Sequence, residues 1–140
     1  MLFGRIRRLG LSLASWLCLL FLLGAAPSST ARAEIQHLLG YLEKSGCQFY
    51  RNDTWHSASE ASDHLKKKYH YLLDKGLIKS AEDFIERAAA ASSVSGNPYQ
   101  VRCGASVPVT STQWLSEELL RYRREIAGAR LKPAPTETRP

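Results

Sequence analysis

The sequence predicts an α+β fold: a small antiparallel sheet, made of a hairpin plus one or two strands, packed against about four helices. Four stretches repeat apolar residues at helical spacing, which indicates helices with one buried face. Two short strand-like segments flank the turn-forming residues 51–53, which indicates a hairpin. Cys47 and Cys103 lie in separate strand-like segments, and a disulfide between them would tie the hairpin to a third strand.

The helix boundaries follow from start and stop signals as well as from apolar periodicity. Ser57 and Glu60 form a capping-box pattern before the second helix, and Gly76 provides its stop. Ser80 is the expected N-cap of the third helix. The four predicted helices span residues 35–44, 58–74, 81–91 and 112–127.

The strands are short and are bounded by turn-forming residues. The hairpin is predicted at residues 47–50 and 54–56. A third strand at residues 99–103 follows the breaker sequence Gly96-Asn97-Pro98. Residues 107–109 add an edge strand, because Pro108 cannot donate to an interior ladder.

The first 33 residues have the order of features that is typical of a secretory signal peptide. Three arginines precede an uncharged apolar run at residues 9–23, and Ala31-Arg32-Ala33 follows as a small-x-small cleavage site. The apolar run is shorter than a membrane-spanning helix needs. We therefore expect residues 1–33 to be a signal peptide that is cleaved after Ala33 during export.

Loss of the signal peptide changes the charge of the chain. Four of its 19 basic residues lie in residues 1–33 and no acidic residue does, which leaves 15 basic and 13 acidic residues and a net charge of +2. So small an excess argues against nucleic acid as a partner. We expect a monomeric domain at residues 34–127 without a membrane span, followed by a disordered Pro-rich tail at residues 128–140.

The cysteines predict a structural disulfide and no cofactor. Cys18 leaves with the signal peptide, so Cys47 and Cys103 are the remaining pair in an oxidising compartment. No C-x-x-C motif is present to lower a thiol pKa for redox chemistry. Neither cysteine has a second metal ligand at short spacing, so we expect no metal and no other cofactor.

The first candidate site is a row of polar side chains along the second helix. Glu60, His64 and Lys68 recur every four residues at the edge of its apolar face. Such a row can bind an anionic or zwitterionic ligand, and Glu60 can orient His64 as a general base. The alternative is a structural edge of ion pairs, each worth about 0.2–0.5 kcal/mol. No H-E-x-x-H motif or other metal-ligand spacing includes His64.

The second candidate site is the loop at residues 92–99, which contains three serines, Gly96 and Tyr99. Ser95 and neighbouring backbone donors would hold a ligand there, whereas the alternative is a helix stop that turns into the third strand. Arg102 either faces solvent through strand alternation or reaches a carboxylate such as Glu60.

Four motifs, which include the two cysteines, occur in order along residues 35–123: Ser45-Gly46-Cys47-Gln48-Phe49, Glu60-Ala61 with His64 and Lys68-Tyr69, Glu82-Asp83-Phe84-Ile85, and Ser95-Gly96 with Tyr99 and Arg102-Cys103. Together they resemble the YfeK-like family of small exported bacterial proteins, a domain of unknown function. The resemblance implies a periplasmic location and assigns no activity, ligand or catalytic residue. Asp53 stands where the family pattern has glycine, which disfavours a tight type I′ turn.

The favoured function is a periplasmic binding module for an unidentified protein or small ligand. Its recognition surface would combine the helix edge of Glu60, His64 and Lys68 with the loop at residues 95–102. The alternative is a small hydrolase or transferase-type enzyme with His64 as general base, although no nucleophile or metal completes the set. A weaker alternative is an inhibitor of a secreted hydrolase, suggested by the loop residues Ser95, Gly96 and Tyr99 alone.

Overall fold

The architecture has the predicted α+β class, and a computed structural model describes it over residues 26–131. Helices pack against one face of a four-stranded antiparallel sheet. The apolar run at residues 9–23 and the last nine residues of the predicted tail lie outside the described residues, so the signal peptide stays a prediction. Within residues 26–131, no helix is long and apolar enough to cross a membrane.

The first helix, α1 (Ser29–Lys44), begins six residues before its predicted start. Ser28 is its N-cap, because the Ser28 hydroxyl accepts a hydrogen bond from the Ala31 amide at 3.1 Å. Ala31 and Glu34 are both buried in the fold. The residues that predict a cleavage site therefore also form the first turn of α1, and cleavage after Ala33 would remove that turn with its cap.

The second helix, α2 (Ala58–Asp74), has the predicted bounds because both of its ends carry strong local signals. The Ser57 hydroxyl accepts from the Glu60 amide, and the Glu60 carboxylate accepts from the Ser57 amide, which completes the predicted capping box. At the other end, Gly76 takes the left-handed conformation at φ +67° that ends many helices.

The third helix, α3 (Ala81–Asp83), starts at the predicted Ser80 cap and continues as a π-helix (Phe84–Ala89). The prediction of a continuous α-helix over residues 81–91 is therefore wrong. A π-helix leaves carbonyl groups near its end to be satisfied by other partners. Here the Ser111 hydroxyl donates to the Ala89 carbonyl and the Tyr99 amide donates to the Ala90 carbonyl.

The last helix, α4 (Ser111–Leu131), is longer than predicted. The predicted disordered tail is wrong for residues 128–131, which continue the helix. The segment before Pro133 is rich in arginine, glutamate and alanine, which favour a helix, and the first helix-breaking proline comes only after Leu131.

The sheet consists of β1 (Gln48–Arg51), β2 (Thr54–Ser57), β3 (Gln100–Arg102) and β4 (Val109–Thr110) in the order β2-β1-β3-β4, with all neighbours antiparallel. Asn52 and Asp53 both have positive φ, at 47° and 63°, so the β1–β2 connection has the backbone of a type I′ turn. The expectation that Asp53 disfavours this turn is wrong, because aspartate tolerates the left-handed region better than most residues.

The disulfide joins Cys47 to Cys103, as the sequence predicts. In the β1–β3 pair, Gln48 lies opposite Arg102 and Tyr50 lies opposite Gln100. Extended by one residue at each end, this register puts Cys47 opposite Cys103 and Arg51 opposite Tyr99. The disulfide therefore closes one end of the strand pair, and the candidate site lies at the other end.

The core fills the space between the helices and the inner face of the sheet. Phe49 and Val101 point inward from neighbouring strands, and Phe84 of the π-helix is fully buried in the same core. Arg123 of α4 joins the helices by pairing with Glu34 of α1 at 2.7 Å and with Glu82 of α3 at 2.6 Å. Because Glu34 is buried, the Arg123 guanidinium supplies the countercharge that it needs.

Candidate functional site

A small cavity of about 30 Å³ lies between the β1–β2 hairpin, α2 and Tyr99. We call it the Arg51 cavity. Its apolar floor includes Leu42, Phe49, Leu65 and Ala89. Its polar lining includes Arg51, His56, Glu60, His64 and Tyr99.

His64 is held at this cavity by a hydrogen bond on each ring nitrogen. Its Nδ1 lies 2.7 Å from Nη1 of Arg51, and its Nε2 lies 3.1 Å from the hydroxyl oxygen of Tyr99. Because a guanidinium can only donate, Nδ1 must accept, and the ring proton of the neutral imidazole is on Nε2. That proton is donated to the Tyr99 hydroxyl.

The surroundings of His64 strongly favour its neutral form. Burial, followed by the nearby positive charges of Arg51 and Lys68, lowers the pKa of His64 to about 4. A general base at neutral pH needs a pKa near the working pH and a free lone pair. His64 has neither, because its Nδ1 lone pair already accepts from Arg51. The geometry therefore argues against the alternative of an enzyme with His64 as general base.

The lowered pKa of His64 makes stability depend on pH. Between about pH 6.5, the ordinary pKa of histidine, and about pH 4, the unfolded chain binds a proton at His64 that the folded chain does not. The free energy of unfolding should therefore decrease as the pH falls through this window. We expect His64→Gln to weaken that decrease, as measured by urea unfolding across the window. The exposed His70→Gln is the matched control, and an unchanged pH profile in His64→Gln would contradict the prediction.

Lys68 reaches the Arg51 cavity region one helical turn further along α2 than His64. Its Nζ donates to the Ala91 carbonyl at 2.7 Å and lies 5.3 Å from the centre of the Tyr99 ring. Burial lowers the pKa of Lys68. The ammonium therefore ties the segment after the π-helix to α2 and helps to position the Tyr99 ring.

Glu60 does not orient His64, and that part of the sequence interpretation is wrong. Its Oε2 accepts from the Ser57 amide at 2.9 Å and from the Ser57 hydroxyl at 2.8 Å. These two hydrogen bonds lower the pKa of Glu60. Glu60 lines the edge of the cavity but acts as a capping residue of α2.

Ser95 lies beside the hairpin rather than in the cavity. The Ser92 hydroxyl accepts from the Val94 and Ser95 amides, each at 3.3 Å, and so organises the loop. The Ser95 hydroxyl donates to Oδ1 of Asn52 at 3.5 Å, next to Arg51 in the sequence. The loop at residues 92–98 therefore borders the site, and Val94 at its tip is 93% exposed.

Arg102 is not part of this site. Strand alternation directs Val101 toward the core and Arg102 to the opposite face of the sheet, which is the first of the two predicted alternatives. There it donates to Oε1 of Gln48 at 2.7 Å and stacks on the Trp55 ring at 4.2 Å. The predicted grouping of Arg102 with His64 and Ser95 is therefore wrong.

Besides His56, which also lines the cavity, the sequence interpretation missed Arg51. It lies two residues after the inward-facing Phe49, so strand alternation alone places it on the same face. The β1–β3 register then sets it opposite Tyr99. Among the described residues, no group of three or more histidine, cysteine, aspartate and glutamate side chains is arranged to hold a metal ion.

Comparisons with known proteins agree with the resemblance in the motifs. The model of a family of unknown function, DUF5329, matches residues 29–123. The uncharacterized protein YfeK of Salmonella typhimurium is 37% identical over 68 residues, which are 48% of this chain and 55% of that protein. The chain thus spans about half the length of this relative. No solved structure matches significantly. Because the family model covers most of the chain and includes all of the site, this protein belongs to the DUF5329 family of unknown function.

Proposed function

We propose that this protein is an exported interaction module that binds a partner protein at the Arg51 cavity. The observation that supports this most directly is the size of the cavity. Sites that enclose small molecules have volumes of about 300–1,000 Å³. The Arg51 cavity has about 30 Å³, enough for a water molecule or one small terminal group. It fits the end of a side chain presented by a larger partner and does not enclose a metabolite.

The charges around the cavity favour an acidic group in that position. Among the described residues, the hydrogen-bond partner of the Arg51 side chain is the neutral His64 ring, so the guanidinium keeps further donors for a ligand. The nearest carboxylate on α2, that of Glu60, is engaged by Ser57. A partner carboxylate would pair with the Arg51 fork in a partly desolvated setting, where such pairs are stronger than on an open surface.

The proposed location is the bacterial envelope, and the disulfide is compatible with export. We propose that processing occurs upstream of Ser28 rather than after Ala33, because Ser28 and Ala31 belong to the first turn of α1. The N-terminal sequence of the exported protein is expected to begin at or before Ser28. A chain that begins at Glu34 would contradict this proposal.

Crosslinking in cells tests the proposed function. A photo-reactive amino acid at the exposed Val94, in the loop that borders the site, should give an adduct with a partner protein in the envelope. Arg51→Gln removes the guanidinium and should abolish the adduct. Arg124→Gln on α4 should leave it unchanged, because Arg124 lies about 20 Å along the helix axis from Ser111 at the cavity.

Two results would contradict the proposal. One is that no adduct forms with the unsubstituted chain, and the other is that the adduct forms equally well with Arg51→Gln. Thermal unfolding of both arginine variants shows whether each is folded, so that loss of the adduct is not confused with loss of the domain. A folded Arg51→Gln protein without the adduct supports a role of Arg51 in recognition.

A further inference from the structure

The face of the sheet that points away from the helices, which we call the outer face, carries a second set of aromatic and polar side chains. In the part of the chain that the structure describes, the helices pack against the inner face, where Phe49 and Val101 are buried. Alternation along the four strands puts the other set of side chains on the outer face. These are Gln48, Tyr50, Trp55, Ser57, Gln100, Arg102 and Thr110.

A guanidinium and two aromatic rings form a row across three strands of the outer face. Arg102 of β3 reaches over β1, where Nη2 donates to Gln48 Oε1 at 2.7 Å, and its guanidinium carbon lies 4.2 Å from the Trp55 ring of β2. The Trp55 and Tyr50 rings follow, with their centres 5.1 Å apart. Stacking and one hydrogen bond therefore fix the Arg102 fork in place before any ligand arrives.

The charge of Arg102 has no countercharge in the described part of the molecule. Its side chain has five N–H donors, and the hydrogen bond found for it there uses one of them. No carboxylate among those residues lies within ion-pair distance of Arg102, whereas Arg121 and Arg123 each pair with two. A positioned, half-buried guanidinium with free donors is suited to a bidentate carboxylate.

We propose that the outer face binds an acidic glycan, with a sugar carboxylate on Arg102. The C–H groups of a sugar ring pack against the Tyr50 ring beside the guanidinium, because Arg102 already covers one face of the Trp55 ring. The Gln48 and Gln100 amides supply donors and acceptors for its hydroxyl groups. The side chains of this site lie on the opposite face of the sheet from Arg51 and His64, and of the outer-face residues only Tyr50 also borders the Arg51 cavity.

The same residues disfavour other polymers and surfaces. Nucleic acid needs several cations along a backbone, and among the described residues Arg102 is the single basic side chain on this face. A lipid surface needs apolar side chains to insert, whereas Gln48, Ser57, Gln100 and Thr110 are polar. A peptide that adds to the sheet would use an edge strand rather than the face.

Titration of the exported protein with trigalacturonate, a short polyuronate, tests this proposal. Amide chemical shifts should change around Tyr50, Trp55 and Arg102 and stay constant around His64. Arg102→Gln removes the charge but keeps a side chain that can bond to Gln48, and it should weaken binding about tenfold. The methyl-esterified trimer, which is matched in shape but uncharged, should bind about tenfold more weakly as well.

Arg124→Gln, which removes an exposed arginine from α4, is the matched control and should bind trigalacturonate like the unsubstituted chain. The proposal is overturned if trigalacturonate causes no shifts, if the methyl ester binds equally well, or if Arg102→Gln binds unchanged. Shifts confined to the Arg51 cavity would also overturn it. Unchanged shifts far from the sheet in Arg102→Gln show that the variant is folded.

Discussion

Reduction of the Cys47–Cys103 disulfide is expected to lower the free energy of unfolding by about 4 kcal/mol. The two cysteines are 56 residues apart in the sequence, so the bond closes a long loop and strongly restricts the unfolded chain. In the folded protein the same residues already face each other across β1 and β3. Domains of this size are stable by about 5–15 kcal/mol, so reduction would remove a large share of the free energy of unfolding.

Urea unfolding with and without a reductant measures this effect. The midpoint should fall on reduction, and the double variant Cys47→Ala/Cys103→Ala should unfold at a low midpoint that the reductant does not change. Cys103 is exposed, so a reductant can reach the bond without prior unfolding. An equal midpoint for the oxidised and reduced forms would show that the sheet does not depend on the disulfide.

The disulfide also bears on the candidate site through the register of the sheet. A shift of one residue between β1 and β3 would turn every side chain on one strand to the opposite face. Arg51 would then leave His64 and Tyr99. Because Cys47 and Cys103 are covalently joined at one end of the pair, the oxidised protein cannot make this shift, and the positions at the other end stay fixed.

Local signals in the sequence predict the parts of the fold that local interactions determine. Both ends of α2 follow from the Ser57–Glu60 capping box and from Gly76, each of which acts within a few residues. The local sequence does not determine the start of α1, because Ala31 and Ala33 match a cleavage site and a helical turn equally well. The π-helix has no signal of its own, since the partners of its end come from residues far along the chain, such as Ser111.

The candidate site is predictable from the sequence only in part, because some of its contacts are local and others depend on the pairing of distant strands. His64, Lys68 and Tyr99 do meet, because two of them share a helix face and the third immediately precedes β3. Glu60 matches two local patterns, a helix cap and a partner of His64, and in the structure its carboxylate accepts from the amide and the hydroxyl of Ser57. Arg51 depends on the pairing of β1 with β3, a long-range register that no local pattern contains.

Phe84→Ala is expected to lower the free energy of unfolding by about 3–5 kcal/mol. Phe84 is fully buried, begins the π-helix and packs edge-on against Tyr69 of α2, with ring centres 5.7 Å apart. Truncation removes its apolar contacts and leaves a cavity at the junction of α2 and the π-helix. The same junction holds Lys68 against the Ala91 carbonyl, so the segment that leads to Tyr99 should also become less ordered.

Phe84→Leu is the matched control, because it keeps most of the apolar volume and should cost less than half as much as Phe84→Ala. Urea unfolding gives the two free energies, and hydrogen exchange at residues 88–99 reports whether opening is local to this segment. Faster exchange there in Phe84→Ala but not in Phe84→Leu would show that packing under the π-helix orders the wall of the Arg51 cavity. Equal stability of the two variants would instead mean that the core closes around the missing ring, and that the position of Tyr99 does not depend on packing under the π-helix.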